Sequence, residues 1–299
     1  MNEAAKVGPG SFAWMITGTA VFVIVPIVMA LVWKFRKKER FTTILTGVLT
    51  FLIFALILEK PIQNVLAFPT VMGLSDHAVS RFLNANPVLL AFVAGLFPGV
   101  FEETGRLIAF KTVLRKRRNR ETSISYGIGH GGGEVLILLG LTYVEYVVYA
   151  VMINSGTFQT LIDQVRALSP DQAAGVEELA RTLTAFSFPD LATAVFERVF
   201  AVLFHIGASI LVFYACRDRK RAGLYPLAIL LHTAMDFIVA LSLFGVIDLS
   251  AWTLESILAA FGLLTFLGAY FLLYRKDRDP GGSCEAPSGR RRVLVENEI

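Results

Sequence analysis

The sequence predicts an all-α fold: a polytopic integral membrane bundle of about seven transmembrane helices. Three observations carry the prediction. The 299 residues are 55% hydrophobic and only 17% charged, with a mean hydropathy of +0.62, where a soluble chain would be about 25% charged. Several apolar runs approach or exceed the roughly 20 residues that cross a bilayer as a helix. Lysines and arginines gather at alternate ends of those runs.

The spans are expected at about 12–33, 42–58, 87–110, 124–153, 190–215, 222–244 and 253–274. The first exceeds the apolar core of a signal peptide and ends in Lys34, Arg36, Lys37, Lys38 and Arg40, so it reads as an anchor with a stop-transfer flank. Basic clusters recur at Lys111–Arg120, Arg217–Arg221 and from Arg275 onward. The positive-inside rule then puts the N-terminus outside and the C-terminus in the cytoplasm, the parity that seven spans require. The net charge of +4 is explained by this asymmetry and gives no reason to expect a nucleic-acid partner. Cys216 and Cys284 are expected to form no disulfide and sit in no metal-type pair.

Residues 1–276 therefore read as one transmembrane domain of a multi-pass protein of the cell membrane, with a motif-bearing core at about 87–244. Residues 277–299 read as a disordered cytoplasmic tail, being charged and rich in Pro and Gly. Residues 59–86 are expected to be an outer loop with one short interfacial helix. Residues 154–189 repeat apolar positions at helical period around Ser169-Pro170-Asp171, which predicts a pair of amphipathic helices.

Four predicted spans carry ionisable groups at helical spacing: Glu102, Glu103 and Arg106; His130 and Glu134; His205; His232 and Asp236. A charge at the bilayer centre costs roughly 2.5–3.5 kcal/mol on insertion scales, so such groups face protein or a water-filled cavity. At about 1.5 Å of rise per residue, all lie roughly 12–18 Å from the basic ends, at one level. That depth suggests access from the cytoplasm. The spacings i,i+3 and i,i+4 put each set on one helix face. Arg106 can neutralise one glutamate and leave the other ionised as a base. Glu197 and Arg198, nearer the outer end, read as structural. Gly129, Gly131, Gly132 and Gly133 either let helices approach closely around His130 or open space beside it. Buried Glu, His and Arg would also suit a proton-coupled transporter, although no internal repeat is present. A non-catalytic scaffold is the remaining possibility.

Phe-Glu-Glu-Thr-Gly-Arg at 101–106 resembles the first motif of the CAAX-protease and bacteriocin-processing superfamily of intramembrane proteases. Phe204-His205 and His232-Thr-Ala-Met-Asp236 resemble its later motifs, and Gly129-His130-Gly-Gly-Gly-Glu134 is similar to the YhfC branch, which is PrsW-like. Two residues separate Glu103 from Arg106, a PrsW-like spacing. The resemblance implies hydrolysis of a peptide bond in or near the membrane, with a membrane-associated protein or peptide as substrate. It implies Glu102 as general base on water, Glu103 or Arg106 orienting it, and His130 or His205 holding that water. His232 and Asp236 would stabilise the oxyanion, with Asp236 fixing the imidazole, while Glu134 would orient His130 or act as a second acid. This is a glutamate-type mechanism without cofactor. The alternative is a zinc-dependent metalloprotease in which His130, His205 and His232 are candidate Zn²⁺ ligands.

Overall fold

The computed structural model describes residues 6–277. It contains helices and short turns and, among the described residues, no strand. The predicted tail lies outside the described residues except for Asp277. Seven helices are long and apolar enough to span a membrane. They are α1 (Pro9–Lys37), α2 (Phe41–Ala67), α4 (Pro87–Lys111), α5 (Glu121–Ser155), α8 (Phe188–Arg217), α9 (Leu224–Leu243) and α10 (Ala251–Tyr274). A short α3 (Ala78–Asn84) precedes α4, and α6 (Phe158–Leu168) and α7 (Pro170–Ala185) form the amphipathic pair between α5 and α8. The helix break falls at Ser169, where Pro170 occupies the first turn of α7 and needs no backbone donor.

The second span departs from expectation. It does not stop at residue 58 but continues to Ala67, which shortens the following loop and puts Glu59 inside the helix. The helix is π-helical over Leu52–Glu59, and Pro61 follows in the first turn of the α-helical continuation. Pro61 has no N–H to donate to the turn before it, and the π-helical stretch lies where the helix must accommodate that loss. A second π-helical stretch, Val135–Gly140, lies within α5 directly after Glu134. Such bulges often accompany functional sites, because they re-aim the side chains around them.

α5 is central. It packs against α2, α8 and α1, while α4 pairs closely with α9 and α8 with α10. Its glycines make this possible. A Cβ on Gly129 would stand 2.0 Å from the carbonyl oxygen of Ile44 on α2, and one on Gly131 would stand 3.2 Å from Val202 Cα on α8. Gly132 faces Pro26 and Met29 of α1 at 3.5 Å, and Gly133 faces Val48 of α2. Of the two uses expected for these glycines, close packing is the one adopted. Small residues let backbones meet where lipid supplies no hydrophobic drive for helices to associate.

One consequence can be measured. Gly129→Ala must push a methyl group into backbone, so it is expected to lower stability by about 3 kcal/mol or more. Gly132→Ala, with room for its methyl group, is expected to be neutral or stabilising, by up to about 1 kcal/mol of helix propensity. Thermal unfolding in detergent compares the two, and equal melting temperatures would contradict this packing.

Candidate functional site

The helix pairings bring the predicted groups into one buried cluster. On α4, Gly95 and Gly99 press against the backbone of α9 near Thr233 and Phe237. This contact delivers Glu103 to His232, whose Nδ1 donates to Glu103 Oε1 at 2.8 Å. The same oxygen accepts from Arg106, one helical turn on, and both members of this ion pair are fully buried. Arg106 Nη2 lies 2.8 Å from His205 Nδ1 on α8. His205 Nε2 meets Glu134 Oε2 of α5 at 2.7 Å. Glu134 accepts through its other oxygen from Arg198 Nη1 at 2.7 Å, and Arg198 also pairs with Glu197. A chain of polar contacts therefore links α9, α4, α8 and α5.

Beside this chain, His130 Nε2 bonds Glu102 Oε2 at 2.8 Å. The His130 ring is 4.9 Å from that of His205 and meets the edge of Phe51. Arg106 thus takes Glu103, and Glu102 pairs with an imidazole instead.

Several roles fall differently from the sequence reading. Glu134 orients His205 rather than His130, because it reaches across to α8 instead of back along its own helix. Asp236 stands 3.5 Å from His232 Nε2, beyond ordinary hydrogen-bond length, so Glu103 fixes that ring. Arg198 and Glu197 are not remote structural groups; both face the same cavity as the cluster. The three histidines do not converge as a ligand set. Donor atoms of Glu102, His130 and His205 lie within 4.8 Å of one another, while His232 belongs to Glu103.

The cavity has a volume of about 200 Å³, room for several waters at roughly 30 Å³ each. Glu102, Glu134, His205, His232 and Asp236 are on its wall. So is Glu59, which sequence reasoning missed. It is buried, sits next to Lys60 at 3.2 Å, and has no hydrogen bond on either oxygen. Ile62, Val65 and Leu66 continue the apolar spacing past it and are the signal that the span was longer.

A metal ion has a plausible place here. Two imidazoles and a carboxylate are the donor set of catalytic zinc sites. His130 Nδ1 is buried with no hydrogen-bond partner, so this ring has an uncommitted nitrogen. His205 has none, since Arg106 and Glu134 hold both of its nitrogens, and it would surrender one contact to bind an ion.

No solved structure matches this chain. The uncharacterized membrane protein YhfC of Bacillus subtilis (strain 168) is 29% identical over 260 residues, covering 86% of this chain and 93% of the relative. The family model described as YhfC intramembrane metalloprotease matches residues 21–258, a stretch that contains every helix contributing to the cluster. The chain is therefore a multi-pass membrane protein belonging to the YhfC family of intramembrane metalloproteases.

Proposed function

We propose that the protein is an endopeptidase that hydrolyses a peptide bond within the membrane, and that a zinc-type ion held by Glu102, His130 and His205 takes part. The observation that carries this is the convergence of those three buried donors within 4.8 Å of one another, with Glu102 and His205 on the wall of a cavity large enough for water. The family description favours this reading over the metal-free one. When bound, the ion would polarise the scissile carbonyl and lower the pKa of water.

The remaining chemistry belongs to the side chains. Glu134 faces the cavity while bonded to His205 and Arg198, a position from which its carboxylate can take a proton from water. Glu103 is committed to Arg106 and His232 and orients them. With its Nδ1 proton donated to Glu103, His232 keeps Nε2 beside Asp236 on the cavity wall; as the imidazolium, flanked by those two carboxylates, it can donate from Nε2 to the oxygen of a tetrahedral intermediate.

One observation favours a second reading, glutamate-type hydrolysis without metal. Both nitrogens of His205 are already bonded, and Glu102 bonds His130 Nε2, so two of the three donors are engaged with side chains without an ion. Glu102 is then the base.

Two measurements separate these. Incubated with a library of membrane peptides, the wild type is expected to generate new termini detectable by mass spectrometry. Glu102→Gln and Glu134→Gln, checked as folded, should cut at least about 100-fold more slowly, the usual loss when a proton-transfer group is removed. No cleavage difference between wild type and both variants would count against proteolysis. Elemental analysis of purified protein supplies the second test. The wild type and Glu134→Gln should hold about one ion per chain, and Glu102→Gln and His130→Ala much less, as expected for ligands. A metal-free wild type that still cleaves would establish the glutamate mechanism.

A further inference from the structure

The cavity is one-sided. Its wall on α2 runs from Phe51 to Lys60, away from the basic end at Arg40. On α5 it runs from Glu134 to Leu138, and on α9 from His232 to Val239, again away from the basic loops. On α8 it runs from His205 back to Glu197, toward the helix start that lies on the far side. At about 1.5 Å per residue, the Lys60 end is roughly 28 Å from the basic end of α2, and the Phe51 floor roughly 15 Å.

Side-chain exposure rises along the same direction. It is 0% at Glu103 and 8% at Glu102. It reaches 14% at Glu134, 28% at Asp236, 31% at Glu197 and 52% at Lys60, while Glu59 beside Lys60 stays at 1% on the inner wall. On the basic side of the cluster, by contrast, Phe110, Ile124, Tyr126, Ile210, Phe213 and Tyr214 form one buried apolar cluster, and none of the six lines the cavity. The depth of the site along the helices suggests access from the basic side; the apolar packing there argues for the opposite route.

We propose that water and substrate reach the site from the side opposite the basic loops, through a mouth bordered by Lys60 of α2 and Glu197 of α8, with their partners Glu59 and Arg198 just inside it. The basic-side half of the bundle acts as a seal. The substrate class is a membrane-inserted polypeptide that enters from the far side and brings its scissile bond down to the level of Glu102 and His205. The paired charges at the mouth supply polar partners for its backbone as it enters. This inference rests on the proteolytic reading for its substrate, but the route itself is tested without any cleavage, so each can fail alone.

The test is sided thiol labelling of the full chain in a Cys216→Ser, Cys284→Ser background. Ala201→Cys and Val239→Cys probe the cavity wall, Ala228→Cys probes the seal, and Leu74→Cys and Lys116→Cys mark the two loop sides. A charged, membrane-impermeant methanethiosulfonate reagent is applied to intact cells and, separately, to inside-out vesicles. Ala201→Cys and Val239→Cys should react in whichever preparation labels Leu74→Cys. They should react at least about tenfold faster than Ala228→Cys, because only a hydrated thiol forms the reactive thiolate. Reaction together with Lys116→Cys, or no reaction from either side in protein shown to be folded by size exclusion, would overturn the proposal.

Discussion

The arrangement depends on the ion pair of Arg106 with Glu103. Both groups are wholly buried in a helix that crosses the membrane. An unpaired guanidinium there would carry the full cost of leaving water, and losing one partner of a buried pair typically costs about 3–5 kcal/mol. The pair is therefore obligatory rather than stabilising in itself. What it contributes is position. Arg106 extends to His205 on α8 and Glu103 to His232 on α9, so one neutralised pair on α4 sets two imidazoles on two other helices. Arg106 also takes the glutamate that points away from His130, which leaves Glu102 for the cavity wall.

That electrostatic core works only because the helices come close enough to share it. The hydrogen bonds between helices are 2.7–2.8 Å long and tolerate little separation. Backbone contact at Gly129 against Ile44, and at Gly95 and Gly99 against α9, provides the approach. Small residues and the polar network are thus two halves of one device. The glycines let the charges reach partners, and the partnered charges hold together helices that lipid alone would not drive together.

Much of this was legible in the sequence. Hydropathy and charge asymmetry give seven spans, and depth along the helices gives the shared level of Glu102, His130, His205 and His232. The partners were not legible, for a physical reason. Sequence spacing fixes which residues share a face of one helix, but the rotation of one helix against another is set by packing. So the i,i+4 relation of His130 and Glu134 suggested a pair, while the fold turns Glu134 to His205. The same relation joins His232 and Asp236, yet Glu103 from the facing helix comes nearer. Glu59 was hidden by a charge-based boundary. Glu59 and Lys60 look like a loop start, and only the apolar positions beyond Pro61 reveal that the helix continues. Arg198 was judged by its depth, which says nothing about reach; a long side chain extends a helical turn toward Glu134.

Hydrolysis inside a bilayer poses a conflict between water and insulation. The reaction needs water and charge, and the membrane must not leak either. A channel open at both ends would meet the first need and fail the second. In this bundle the buried charged side chains stop at the level of Glu103 and Arg106, and beyond them aromatic and aliphatic residues around Tyr126 and Phe213, with a few buried hydroxyls such as those of Ser125 and Ser209, fill the interior. The cavity wall ends at Phe51, Glu102, His205 and His232, and the fully buried ion pair lies behind it. The wet wall and the dry seal are then held by the same residue. Arg106 bonds His205, which lines the cavity, and Glu103 behind it, while itself fully buried. A site built this way keeps its charges partnered whether or not substrate is present, which is the condition for carrying them in a membrane at all.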